Sequence, residues 1–353
     1  MKGLVVSRDH RLYVTDDLPM PAYGSRQALV KMVSCGICSG TDTKIIHGEL
    51  KNFNSYPAVL GHEGLGEVVA VGDKVRNLCI GDRVLLPFQE GVSEGKEGPY
   101  YSGFGAFTEY AVVGDMQAFA EDGRIGSPGF SANHHAQMVL SPSDRVDAVN
   151  ATMIVTFREV LSAMKRFRLE PNRDIVVFGV GPVGMCFIRF AKLLGLGTVI
   201  GVDITDEKVA AALAMHADAA FNSRTCDVSA RIQELLPGGA NYVVDAVGVT
   251  DLINQAMGLL SDHGKICVYG ISPNMDMRLD WKAAPYNWSL EYVQMPLKTE
   301  EAEAHAQVMS WINTGVINPD DYITHVFPFE RILDAFHLLD EKQPGTQKIV
   351  ITF

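Results

Sequence analysis

Residues 174–184 read DIVVFGVGPVG, and the reading of the whole chain starts from this stretch. Val176, Val177 and Phe178 form a short β-branched and aromatic run of the kind that makes a buried parallel strand. Gly179, Gly181 and Gly184, with Pro182 and Val183 between the last two, then complete the pattern GxGxxG. Each glycine has a separate physical job: Gly179 permits the tight turn, Gly181 lets backbone approach a pyrophosphate, and Gly184 lets the next helix lie against the strand. The spacing predicts that helix over Met185 to Leu194, ended by Gly195, with its first amides and positive dipole end facing an anion. Asp203 closes a second strand-like run, Thr198 to Val202, and stands 203 − 184 = 19 residues after the last glycine. A carboxylate there accepts hydrogen bonds from an adenosine ribose and repels a 2′-phosphate, which predicts NAD rather than NADP.

Working outward, strands alternate with helices through Tyr242–Val247 and Lys265–Gly270, the pattern of a doubly wound parallel sheet. Upstream, ATMIVTFREVLSAMKRF from Ala151 carries apolar residues at helical spacing and leads into that sheet. Residues 1–150 are different: short strands (Leu4–Val6, Gln27–Met32, Gly66–Val71, Asp82–Leu86, Phe107–Val113) are separated by glycine turns, predicting a β-rich domain. The helical segment Glu300–Thr314 and the strand Lys348–Phe353 have no place in the parallel sheet. The chain is therefore expected to form an α/β protein of two domains, residues 1–150 with 290–353, and 151–289 as a cofactor domain inserted between them.

The composition sets limits on function. A length of 353 residues and an apolar share of 47% suffice for two ordinary cores. A net charge of −12 without a basic run argues against nucleic acid or anionic membrane as a partner. Six cysteines are too few for a disulfide framework in a chain of this size, and Cys35 and Cys38 as CxxC point to metal or redox chemistry in a reducing compartment. The start, MKGLVVSRDHRLYV, has no signal-peptide pattern, and no run is long enough to span a bilayer, so a cytoplasmic location is expected.

The second chemical constellation is Cys35-Gly-Ile-Cys38-Ser-Gly-Thr41-Asp42, followed about twenty residues on by Gly61-His62-Glu63-Gly64. Thiolate, imidazole and carboxylate together form a zinc ligand set. Asp42 supplies an acceptor for the N–H of a ligating imidazole, and Thr41 a hydroxyl able to pass a proton. With GHEGLGEVVAVGDKV, GDRV, GVGPVG, VVDAVG and THVFPFERILDAF, the chain resembles the zinc-dependent medium-chain alcohol and polyol dehydrogenases over nearly its whole length. The resemblance implies a GroES-like catalytic domain beside a Rossmann cofactor domain. It implies zinc on Cys38 and His62 with Glu63 able to join, Thr41 as the proton relay, Lys348 near the pyrophosphate, and Val247, Gly248 and Gly270–Ile271 along the nicotinamide. It also implies a small-molecule alcohol, a polyol or sugar derivative, as substrate and a homodimer or homotetramer, with which the strand Lys265–Gly270 is compatible if it lies at a sheet edge.

Three departures from that family pattern bear on the site. Ser39 and Gly40 put one extra residue between Cys38 and Thr41, expected to be absorbed as a bulge at Gly40, with Cys35 as the alternative ligand. The third ligand position falls on Val155, which cannot bind a metal. Glu159, one helical turn on, is then a substitute ligand, or Cys38, His62 and Glu63 suffice, or the enzyme is metal-free with Glu159 as base; a dinucleotide-binding protein without turnover is the remaining reading. The segment Pro87–Gly105, where a structural zinc lobe would fall, has no cysteine, so one catalytic and no structural zinc is expected. Finally, residues 114–140 carry an extra SPGFSANHHAQ segment, a candidate lid or subunit contact in which His134 and His135 are expected at the surface.

Overall fold

Ile175–Phe178 forms a strand with every side chain buried, as a central parallel strand covered on both faces requires. The computed structural model describes residues 1–95, 98–274, 276–341, 343 and 345–353. The chain divides into two compact units, Met1–Arg158 with Leu297–Phe353, and Glu159–Pro296.

In the second unit Ile175–Phe178 lies between Val199–Asp203 and Ala240–Asp245; Ala219–Asn222 flanks one side, and Leu260–Val268 and then Trp288–Tyr292 the other. All five pairings are parallel, which gives the strand order of a dinucleotide-binding sheet. The domain bound is corrected, and the edge condition on the strand at Lys265 is not met. Residues 288–292 add a sixth parallel strand, so the unit runs beyond residue 289, and the edge is Trp288–Tyr292 rather than the strand at Lys265. The WSLEY run pairs with Gly264–Val268 along its whole length, which a reading that ended the domain at 289 could not include.

The first unit is organised by the strand Gln27–Gly36. It pairs antiparallel with Glu63–Val71, with Tyr110–Gly114 and with the closing strand Lys348–Thr352. The returning tail therefore completes a sheet begun more than three hundred residues earlier. Register then sets the chemistry: Gly36 stands opposite both Glu63 and Val350, so the CGIC segment, the GHE block and the last strand meet at one end of the sheet. A second sheet, ordered from Leu12–Thr15 through Gly3–Val6, Ala58–Val59 and Gly98–Ser102 to Val92–Gly95, completes the unit. The hairpin of its last two strands occupies the segment where a structural zinc lobe was considered, with residues 96 and 97 outside the described ones.

Residues 114–140 include the helix Met116–Glu121 and the short 3-10 turn Ala132–Ala136, the turn packed against the helix Lys298–Asn313 of the same unit. His134 is corrected from surface to core. Its ring stacks on Phe119, meets Phe130 edge-on, and accepts or donates at Gln137 over 2.9 Å, while a Cβ at Gly114 would fall 2.4 Å from it. His135 stays half-buried. Among the described residues no helix is long and apolar enough to cross a membrane.

Candidate active site

The dinucleotide turn is built as its glycines require. Gly179 has φ +89°, open to glycine at little cost, and a Cβ there would also strike Val247. A Cβ on Gly184 would sit 1.8 Å from the carbonyl oxygen of Gly179, so the helix rests directly on the turn. A Cβ on Gly181 meets nothing within 4 Å, which leaves its face open to a ligand. Gly181 caps the helix Pro182–Leu193, three residues longer at its start than the spacing predicts, because proline at the first helical position needs no N–H partner. Asp203 ends the next strand and accepts the Val180 N–H at 2.7 Å and the Ile204 N–H at 2.6 Å. It therefore braces the dinucleotide turn.

Asp245 accepts the N–H groups of Val247 and Gly248 at 2.8 and 3.0 Å and turns the chain at the C-terminal end of its strand. Burial pushes its carboxyl above the usual range, against those two amides. Gly248 is pressed against Ile271 and Gly270 against Gly248, so both segments assigned to the nicotinamide half gather at the carboxyl ends of the strands. Val247 stays 43% exposed there. This is where ligands bind in open α/β sheets.

In the first unit, ligand atoms of Cys38, His62 and Glu63 all lie within 4.8 Å of one another. The helix Thr41–Ile46 holds the loop that carries Cys38. Asp42 accepts the Cys38 N–H at 2.9 Å, its own N–H reaches the Cys38 carbonyl at 3.0 Å, and the Thr41 N–H points at the Cys38 Sγ at 3.4 Å. The extra residue is thus absorbed by one helical hydrogen bond. Gly40 has φ −75°, in the helical region, so the expected bulge is absent. Asp42 also stands behind the His62 ring, Oδ1 3.5 Å from Nδ1, and both of these buried atoms lack a hydrogen-bond partner. That pairing leaves the other ring nitrogen to a metal. Burial disfavours the charged imidazole, but Asp42 and Cys38 outweigh it and hold its pKa well above the ordinary value.

Glu63 is held from three sides. The Thr156 hydroxyl donates to its Oε1 at 3.0 Å, the Lys348 ammonium donates to Oε2, and Gly36 leaves the room its carboxylate fills. Burial would raise its pKa; Lys348 first, then His62 and Thr156, overcome that and hold it below the carboxylate range. Lys348 is corrected here. Expected beside a pyrophosphate, it is 3% exposed, and its Nζ is committed to Glu63, to Thr156 and to the Ile37 carbonyl, both of the latter at 3.4 Å.

Val155, Cys35 and Glu159 are not among the three converging ligands. Val155 packs with Leu86, Phe88 and Ala136 in an apolar cluster. Cys35 is buried in the core, with its thiol pushed well up by burial, and is outside the converging set. Glu159 is the first residue of the second unit and is not one of the three converging ligands either. Thr156 is the functional residue that the sequence reading missed. The available signal was the pair of hydroxyls, Thr152 and Thr156, inside the otherwise apolar run ATMIVTF, and it does not by itself single out Thr156.

The donor set fits zinc: one sulfur, one imidazole nitrogen with an acceptor behind it, and one carboxylate oxygen. Residues 24–120 match the alcohol dehydrogenase GroES-like domain and residues 182–293 the zinc-binding dehydrogenase domain, more than half of the chain between them. The chain belongs to the zinc-dependent medium-chain alcohol and polyol dehydrogenase family. This dehydrogenase is 27% identical over 372 residues to the starvation-sensing protein RspB of Escherichia coli K12, covering all of the chain and 99% of RspB. It is 24% identical to the sorbitol dehydrogenase of Bacillus subtilis, covering 95% and 92% of the two chains. Its fold matches the rspB alcohol dehydrogenase of E. coli CFT073, solved with NADH, at a TM-score of 0.78 and 23% identity over 100% and 99% of the chains.

Proposed function

We propose that the dehydrogenase oxidises a secondary alcohol of a polyol or sugar derivative by hydride transfer to NAD, with one catalytic zinc held by Cys38, His62 and Glu63. The observation that carries this reading is the convergence of those three ligand atoms, with Asp42 behind the imidazole, in a chain that also carries a complete dinucleotide turn. Zinc in such a site supplies Lewis acidity toward an alcohol oxygen. The remaining work falls to the chain itself. The amides at the start of Pro182–Leu193 bind the pyrophosphate, and the Val247 and Gly270 segments bound the nicotinamide side. Asp42 fixes the imidazole's tautomer and orientation. Thr41, buried at the start of its helix beside the Cys38 sulfur, accepts the hydroxyl proton and hands it outward.

Turnover on a panel of polyols with NAD, followed as NADH absorbance, tests the reading, and no turnover on any member contradicts it. Within that assay Thr41→Val should lower kcat roughly 100-fold, the lower end for a lost proton relay, while NADH titration shows cofactor binding intact.

Preference for NAD over NADP rests on Asp203. Asp203→Ser removes the charge that repels a 2′-phosphate, and the ratio of kcat/KM for NAD to that for NADP should fall by about 10-fold or more. An unchanged ratio would mean that another group sets the preference.

A further inference from the structure

Gly270 lies just past the strand Leu260–Val268, and both of its backbone groups are held. Its N–H and that of Tyr269 donate to the Asp245 carbonyl at 2.8 and 3.0 Å. Its own carbonyl accepts from the Gln294 side chain, with Nε2 at 2.7 Å. The edge strand explains how Gln294 comes there. The Val293 N–H donates to the Val268 carbonyl at 3.0 Å, and a parallel ladder would next bring the Met295 N–H to the Gly270 carbonyl. The Gln294 side chain takes that place instead. A Cβ on Gly270 would fall 2.1 Å from the Gly248 nitrogen, so the Gln294 amide is bonded to one of two touching segments, both assigned to the nicotinamide half of the cofactor.

The orientation of the amide follows from its partner, because a carbonyl accepts only from Nε2 and the reverse placement would set two acceptors face to face. Oε1 is then the outward end. Gln294 is half-buried, and among the described residues its Oε1 has no hydrogen-bond partner. An amide oxygen can only accept, so the group that completes it must carry an N–H or O–H. The carboxamide of a nicotinamide ring carries such a donor in its NH2. From this placement, we infer that Gln294 binds the nicotinamide carboxamide, Oε1 accepting from the NH2 while Nε2 stays on Gly270. The inference rests on the NAD reading proposed above and adds a side-chain contact to the backbone segments given there. Gln294 makes and breaks no covalent bond. Held at its carboxamide, the ring cannot turn over about its glycosidic bond, and a single face is presented for hydride transfer.

Calorimetric titration of wild type and Gln294→Met with NAD, with 3-acetylpyridine adenine dinucleotide and with ADP-ribose tests this. The acetylpyridine analogue has a methyl group where nicotinamide has its NH2, and ADP-ribose lacks the ring altogether. Wild type should prefer NAD to the analogue. Gln294→Met should weaken NAD binding about 3- to 10-fold, the range for one neutral hydrogen bond, and leave the analogue and ADP-ribose unchanged. Gln294→Leu should behave alike, which keeps the test open if one variant folds poorly. Equal affinity of wild type for NAD and the analogue overturns the inference. So does a loss in the variants that is the same for all three ligands, which is the mark of a residue that only stitches the sheet edge. If wild type binds NAD but turns over no alcohol, the dehydrogenase reading fails and these titrations still decide the role of Gln294. If wild type binds no NAD, both fail together.

Discussion

Gly184→Ala should leave a chain that no longer binds NADH at useful affinity. The added Cβ would lie 1.8 Å from a backbone carbonyl oxygen, whereas real Cβ contacts stay beyond 3.0 Å, so the start of the helix must move by more than an ångström. Neither partner is the flexible end of a side chain, and overpacking of this kind costs about 1–3 kcal/mol. The larger effect is functional. The displaced segment is the one whose amides are proposed to bind the pyrophosphate, and a shift of that size in a positioning element costs on the order of 100-fold. Gly181→Ala provides the contrast. Its Cβ meets nothing in the protein, so thermal stability should hold while NADH affinity falls, because the methyl fills space kept for the ligand. Fluorescence titration with NADH beside thermal unfolding separates the two; wild-type affinity in Gly184→Ala would refute the packing argument.

Lys348→Met should be the most destabilising single change near the metal ligands. Lys348 and Glu63 are 3% and 1% exposed, and removing one partner of a buried pair leaves the other as an uncompensated charge, at about 3–5 kcal/mol. Lys348→Met with Glu63→Gln should recover much of that loss, since no charge is then stranded. Zinc should recover part of it in the single variant too, because a bound cation can take the place of the ammonium beside Glu63 and stabilises whichever state binds it. The pH dependence follows from the sign of the shift. Glu63 has a folded pKa below its ordinary 4.5, so its stabilisation is present above that value and is lost as pH falls through the lowered one. Without Lys348 the folded pKa rises, and acid unfolding should begin at a higher pH. Urea titration over pH, with and without zinc, measures all three effects; a change below about 1 kcal/mol would show that the pair is not buried in solution.

The sequence made local features plain and hid distant ones. The GVGPVG turn is legible because its strand, glycines and helix are contiguous, and each glycine answers to a backbone requirement within a few residues. Cys38, His62 and Glu63 were found by residue type and resemblance, and the register of Gly36 with Glu63 explains why they meet. The Glu63–Thr156–Lys348 cluster was not found. Its members are 93 and 285 residues from Glu63, and no local pattern joins them. His134 was misplaced because SPGFSANHHAQ is mostly polar as read along the chain, while two of the groups that bury it, Phe119 and the bare face of Gly114, lie outside that segment and the third, Phe130, is its one aromatic carbocycle. Gly40 shows the opposite error: a glycine suggested unusual backbone where one helical hydrogen bond suffices.

The most direct measurement is the metal content of protein purified without added metal, for wild type, Cys38→Ala, Glu63→Gln and Glu159→Ala, beside turnover of each with NAD. About one zinc per chain is expected in wild type and in Glu159→Ala, little in Cys38→Ala and a weakened site in Glu63→Gln, with activity following the metal. A metal-free wild type that oxidises alcohol at full rate would contradict the assignment of Cys38, His62 and Glu63 as the catalytic zinc site.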